Sequence, residues 1–88
     1  MSGIMQVAPP PVGGTIVPAR LRVSPRTDYY GGDYRNIKNV SHIECQAACL
    51  EASVCVAYTY VSAKGSCWLK SNVKEPSYDD DMVSGVKY

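Results

Sequence analysis

The chain has 88 residues and a formal net charge of +1, which bounds it to one small domain that needs a staple, a metal or a partner to hold a modest core together. That charge, and the low density of Lys and Arg, do not fit a nucleic-acid groove, and no apolar run approaches the roughly 20 residues needed to cross a bilayer. Seven Tyr, one Trp and no Phe make the aromatic content amphipathic, so Val, Ile, Leu and Ala are expected to complete the core while many rings keep a polar edge near water.

Charge and proline divide the chain. Residues 1–26 carry Arg20, Arg22 and Arg26 and no acid, for +3, whereas residues 27–88 carry Arg35 and five Lys against eight acids, for −2. Five of the six prolines lie in the first 25 residues. The segment MSGIMQVAPPPVGG reads as extended, because three consecutive prolines favour polyproline II and exclude regular hydrogen-bonded structure. The same prolines and glycines interrupt any compact apolar stretch of a secretory signal. TIVPARLRV follows with some strand character, which Pro18 demotes to an edge or an arm. Two readings stand for this leader: a linker, or an arm that adds through Ile16, Val17, Leu21 and Val23 to the sheet of a neighbouring copy.

The texture changes at Tyr29. DYRNIKNV supplies a strand after the flexible Gly31-Gly32 pair. Ser41 and Glu44 have the spacing of a capping box, with Val40 placed to staple the helix entry. The helix is expected from about His42 to Ala52, with Cys45 and Cys49 on one side and His42 and Glu44 toward solvent. CVAYTYV at 55–61 alternates as a strand, SAKG at 62–65 turns, and SCWLK at 66–70 returns. A polar loop with Pro76 and the acid run Asp79, Asp80, Asp81 leads to a last strand, MVSGVKY.

Four cysteines, Cys45, Cys49, Cys55 and Cys67, are compatible with disulfides or with metal ligation, and the two imply different compartments. Zinc sites usually draw paired Cys from short knuckles, whereas here two Cys lie a turn apart in a strong helix and two lie on a hairpin, so disulfides are the expected state and no metal is expected. More than one pairing is formally available. Cys49 near the helix exit is placed to reach Cys55 at the start of the next strand, and Cys45 one turn earlier to reach Cys67. Pairing Cys45 with Cys49 would tie one helical turn to itself.

The segments DYRNI, ECQAACLEASVCVAYTYVSAKGSCWLKS and VSGVK, in that order, resemble the PAN/apple superfamily, particularly its four-cysteine form, over residues 28–88. The resemblance implies an α+β domain at 27–88, with one central helix on a twisted antiparallel sheet and links Cys45–Cys67 and Cys49–Cys55, behind the leader of residues 1–26. Apple domains often tie their terminal strands with a further disulfide. This chain has no cysteines for it, so the resemblance implies closure by pairing of the DYRNI and SGVK strands. Members of the superfamily make protein or carbohydrate contacts and are not themselves catalytic.

Candidates for catalysis are poor. The sole His, His42, sits in a cap region beside no free thiol and reads as an exposed first-turn residue. Asp79, Asp80 and Asp81 lack the alternating ligands of a calcium loop. No cofactor is implied. Binding is the better reading, with Tyr58, Tyr60 and Trp68 on one sheet face as the candidate surface if the cysteines face the helix; the competing reading buries those rings under the helix. Asn39-Val40-Ser41 is a glycosylation sequon, relevant to Asn39 in a eukaryotic secretory host. The sequence thus points to a non-catalytic extracellular module, secreted or surface-borne, with a periplasmic site also compatible, that binds protein or carbohydrate. The alternative is a self-assembling structural subunit of an extracellular polymer or filament, a homo-oligomer joined through the leader.

Overall fold

The computed structural model describes residues 19–88. Within them the chain forms β1 (Leu21–Asp28), β2 (Asp33–Ile37), α1 (His42–Glu51), β3 (Ala57–Val61), β4 (Ser66–Lys70) and β5 (Ser77–Lys87). The strands make one five-stranded sheet in the order β1-β5-β3-β4-β2, antiparallel throughout, with α1 packed on one face. Among the described residues no helix is long and apolar enough to cross a membrane.

The helix begins where its capping box places it. Ser41 Oγ accepts from the Glu44 amide at 3.1 Å and Glu44 Oε1 accepts from the Ser41 amide at 2.7 Å, satisfying two of the amides that a helix start leaves without partners. Val40 packs toward the core, and its carbonyl accepts from the Tyr60 hydroxyl at 2.7 Å. At the other end Lys87 Nζ donates to the Ala52 carbonyl at 3.0 Å, a cation at the negative end of the helix dipole.

Both disulfides lie between α1 and the elements that follow it. Cys45 is joined to Cys67 on β4, and Cys49 to Cys55 ahead of β3. All four cysteines are fully buried and form the core together with Tyr58, Tyr60 and Leu69. Of the aliphatics expected to finish the core, Ala57, Val61 and Leu69 are buried, while Leu21, Ile37, Val40 and Val83 are only partly buried against it. Cystine and tyrosine therefore supply much of the interior of this small domain.

The ends of the domain are arranged differently from the expectation. The DYRNI strand, β2, pairs with β4 at one edge of the sheet, while the SGVK segment of β5 lies between β1 and β3. They never meet, because both sides of β5 are already occupied: Ser84 stands opposite Ser24 on β1 and Thr59 on β3. Reciprocal backbone hydrogen bonds between Arg20 and Tyr88, at 2.8 and 3.1 Å, close this end, and the Arg22 guanidinium lies 4.9 Å from the centre of the Tyr88 ring. Among the described residues the sheet thus begins at Leu21. The acid run also belongs to β5 rather than to a loop. The β1–β5 register jumps from Pro25–Val83 to Thr27–Tyr78, leaving Asp79, Asp80 and Asp81 in the bulge on that side.

β1 and β2 are opposite edges, so residues 29–32 must cross the sheet to connect them. They cross on the face away from α1. Ser84 Oγ donates to the Thr27 carbonyl at 2.7 Å, and Lys70 Nζ donates to the Gly31 carbonyl at 2.9 Å. Gly32 makes the crossing geometrically possible: its φ is +76°, and a Cβ there would lie 2.6 Å from the Asn72 carbonyl oxygen. The glycine pair is thus a docked turn, held further by the Ser71 amide donating to the Gly32 carbonyl at 2.9 Å.

Candidate binding site

The two faces of the sheet divide the aromatic residues. In the β3–β4 hairpin Tyr58 stands opposite Leu69, Thr59 opposite Trp68, and Tyr60 opposite Cys67. Residues directly opposite in an antiparallel pair share a face, so Tyr58 and Tyr60 lie with Leu69 and Cys67 under the helix, and Trp68 lies with Thr59 on the other side. Tyr58, Tyr60 and Trp68 therefore do not form one surface. Tyr58 is fully buried and Tyr60 nearly so, while Trp68 is 37% exposed. The expected grouping fails because Cys55 precedes β3, which begins at Ala57; strand alternation does not carry back to it.

His42 is also placed differently from its expected position in solvent. Its ring is half-buried against the two tyrosines, with centroids 5.5 Å from Tyr58 and 5.4 Å from Tyr60, the latter stacked. His42 Nε2 lies 2.7 Å from the Tyr58 hydroxyl. Desolvation lowers the His42 pKa from its usual 6.5 and raises that of Tyr58 to about 12, so near neutrality both groups are uncharged.

The opposite face carries a cleft of about 640 Å³, within the size range of ligand pockets. One wall is the crossover and its flanks, with Asp28, Tyr30, Gly31 and Asp33; the other is the sheet, with Thr59, Val61, Ser66, Trp68, Lys70 and Met82. Asn36, Lys38 and Lys64 complete it. Trp68 occupies the middle of a cross-strand row, between Asn36 on β2 and Thr59 on β3. Tyr30 stands 82% exposed on the facing wall.

The floor is ionic. Lys70 Nζ lies 2.6 Å from Asp33 Oδ1, with the lysine side chain 2% exposed and the aspartate 33%. A buried ammonium requires such pairing, and the pair anchors the crossover that roofs it. Two further contacts stiffen the walls: Asn36 Nδ2 donates to Ser66 Oγ at 2.8 Å, and the Thr59 and Ser84 hydroxyls are 2.7 Å apart. Trp68 is thus presented by a rigid sheet.

The alternation of β4 puts Lys70 on the same side as Trp68. Asp33, Asn36, Lys38 and Lys64 had no such signal, because their approach depends on the β2–β4 register and on the crossover. The two expected arm residues among the described ones, Leu21 and Val23, belong to β1 and pair with β5 of their own chain; Ile16 and Val17 lie outside the described residues. Asn39 is exposed at the helix entry with φ of 60°. All four cysteines are in disulfides, so none offers a thiolate ligand. Among the described residues no group of His, Cys, Asp and Glu is assembled to hold a metal ion.

The family model described as PAN domain matches residues 27–70, half of the 88-residue chain and the stretch containing both disulfides. No curated protein and no solved structure matches the chain.

Proposed function

We propose, for a chain that belongs to the PAN domain family, that it serves as a non-catalytic binding module outside the cytoplasm and takes its ligand in the cleft built around Trp68. PAN domains are protein- or carbohydrate-binding modules of extracellular proteins and are generally non-catalytic. Two buried disulfides fit an oxidising compartment. The observation that carries the assignment is the exposure of the single Trp in a cleft of about 640 Å³, on the sheet face opposite the disulfide core. An amphipathic ring held there with hydroxyl, amide and charged groups around it suits contact with a sugar face or a protein side chain.

Trp68→Ala tests the reading. The full chain and the variant are screened against arrays of glycans and of extracellular proteins, with thermal melting measured alongside. The expected outcome is loss of binding with the melting transition largely retained, because Trp68 stands outside the core. Undiminished binding to the partner so identified would reject the cleft as the site. Self-assembly through the leader, the alternative role, loses Leu21 and Val23 from its arm because both are committed to the chain's own sheet.

A further inference from the structure

We infer that the cleft takes a saccharide bearing carboxylate groups, with a sugar ring on Trp68 and a carboxylate between Lys38 and Lys64. This deepens the proposed binding function and rests on it.

The charges of the cleft are unevenly placed. Lys70 is neutralised by Asp33 at 2.6 Å, so it presents no free cation to a ligand. Lys38 and Lys64 are exposed and line the same cleft. They come from different connections, one leading into α1 and the other turning β3 into β4. The Val40 amide donates to the Gly65 carbonyl at 3.0 Å and draws those connections together, which sets both lysines at one end. Asp28, on the crossover wall, is the remaining acid of the lining. Lys38 and Lys64 are thus the exposed cations of the lining, and the acid run adjoins the Lys64 turn, where the Asp81 carbonyl accepts from the Ser62 amide at 2.9 Å.

The rest of the lining suits a polyhydroxyl ring. Trp68 offers an aromatic face in the middle of the sheet wall. Asp33 Oδ1 is held by Lys70, but the residue is one-third exposed, which leaves its second oxygen available to accept from a sugar hydroxyl. Asn36 spends its Nδ2 on Ser66 Oγ and the Cys67 carbonyl, leaving Oδ1 as an acceptor beside Trp68. Acceptors around the ring and ammonium donors at one end complement a sugar acid, which has hydroxyl donors and an anionic carboxylate.

The single Trp makes the test direct. The full chain is titrated with a short oligogalacturonate and with its methyl ester, which keeps the ring and removes the charge, while Trp68 fluorescence is followed at low and high salt. The acid form is expected to give a saturable change that weakens with salt, and the ester to bind about tenfold more weakly. The variant Lys38→Gln/Lys64→Gln, whose fold is checked by near-UV circular dichroism, should bind the acid form no better than the ester. Equal binding of acid and ester, or an unaltered affinity in the double variant, would overturn the acidic class while leaving the cleft as a ligand site. Absence of any Trp68 response to either saccharide would overturn the saccharide assignment itself; the broader cleft assignment is judged separately, by Trp68→Ala against array-identified partners.

Discussion

Gly85 on β5 lies directly opposite Tyr58 on β3, and a Cβ at Gly85 would run into the Tyr58 ring. The glycine is the space that lets a fully buried tyrosine lie flat on its own sheet beneath the helix. Gly85→Ala should destabilise the domain by about 2 kcal/mol, the usual scale of overpacking, as measured by urea unfolding. In a Tyr58→Leu background the penalty should shrink, since the shorter side chain leaves that space open; an undiminished penalty in this double-mutant cycle would locate the strain elsewhere.

The Lys70–Asp33 pair makes an asymmetric prediction. Asp33→Ala leaves a buried ammonium with the Gly31 carbonyl as its remaining contact and should cost about 3 kcal/mol. Lys70→Met leaves a carboxylate that is one-third exposed and can hydrate, so its cost should be smaller. Denaturation of the two variants in parallel checks the order; equal losses would mean that the crossover is held by something other than this pair.

Acidification should weaken the fold through His42. Its folded pKa lies below the ordinary 6.5, so below that pH the unfolded chain binds the proton more readily, and stability falls as pH drops through the folded value. Tyr58 acts at the other extreme. Raised from 10 to about 12, it contributes stability below pH 10 that is lost as the solution passes through about 12. Melting temperatures of the parent and His42→Gln across the acid range test the first statement: the variant should lack the acid-side decline that His42 contributes.

The disulfides should differ in worth. Their sequence separations are 22 for Cys45–Cys67 and 6 for Cys49–Cys55, so loop closure assigns them about 3 and about 2 kcal/mol respectively. A domain of this size has a net stability of about 5 kcal/mol. Paired Cys→Ser replacement should therefore cost more at Cys45 and Cys67, and full reduction should unfold the chain. A reduced protein that kept its near-UV spectrum and melting temperature would contradict this.

Much of the fold is legible locally. The Ser41–Glu44 capping box, the helical spacing of Cys45 and Cys49, and the turn between Val61 and Ser66 each depend on residues within a turn or a hairpin, and each takes the expected form. Of the three aromatic residues expected on one surface, only Trp68 faces the cleft. Alternation tells which residues of one strand share a side, but not which side of the next strand they join; the hairpin pairing that sets Thr59 beside Trp68 decided that, and with it the burial of Tyr58 and Tyr60. The fate of Leu21 and Val23 was equally non-local, since an edge strand is defined by the partner that accepts it.

The sequence by itself determined a disulfide-stapled α+β domain of the PAN type, because cap, helix, hairpin and cysteine spacing are short-range features that constrain their own neighbourhoods. Only the tertiary structure decided which aromatic faces outward and what surrounds it. The reason is physical: Asp33 and Lys70 are 37 residues apart, and nothing in either local environment specifies that a glycine turn will carry one across the sheet to meet the other and form the floor of the cleft.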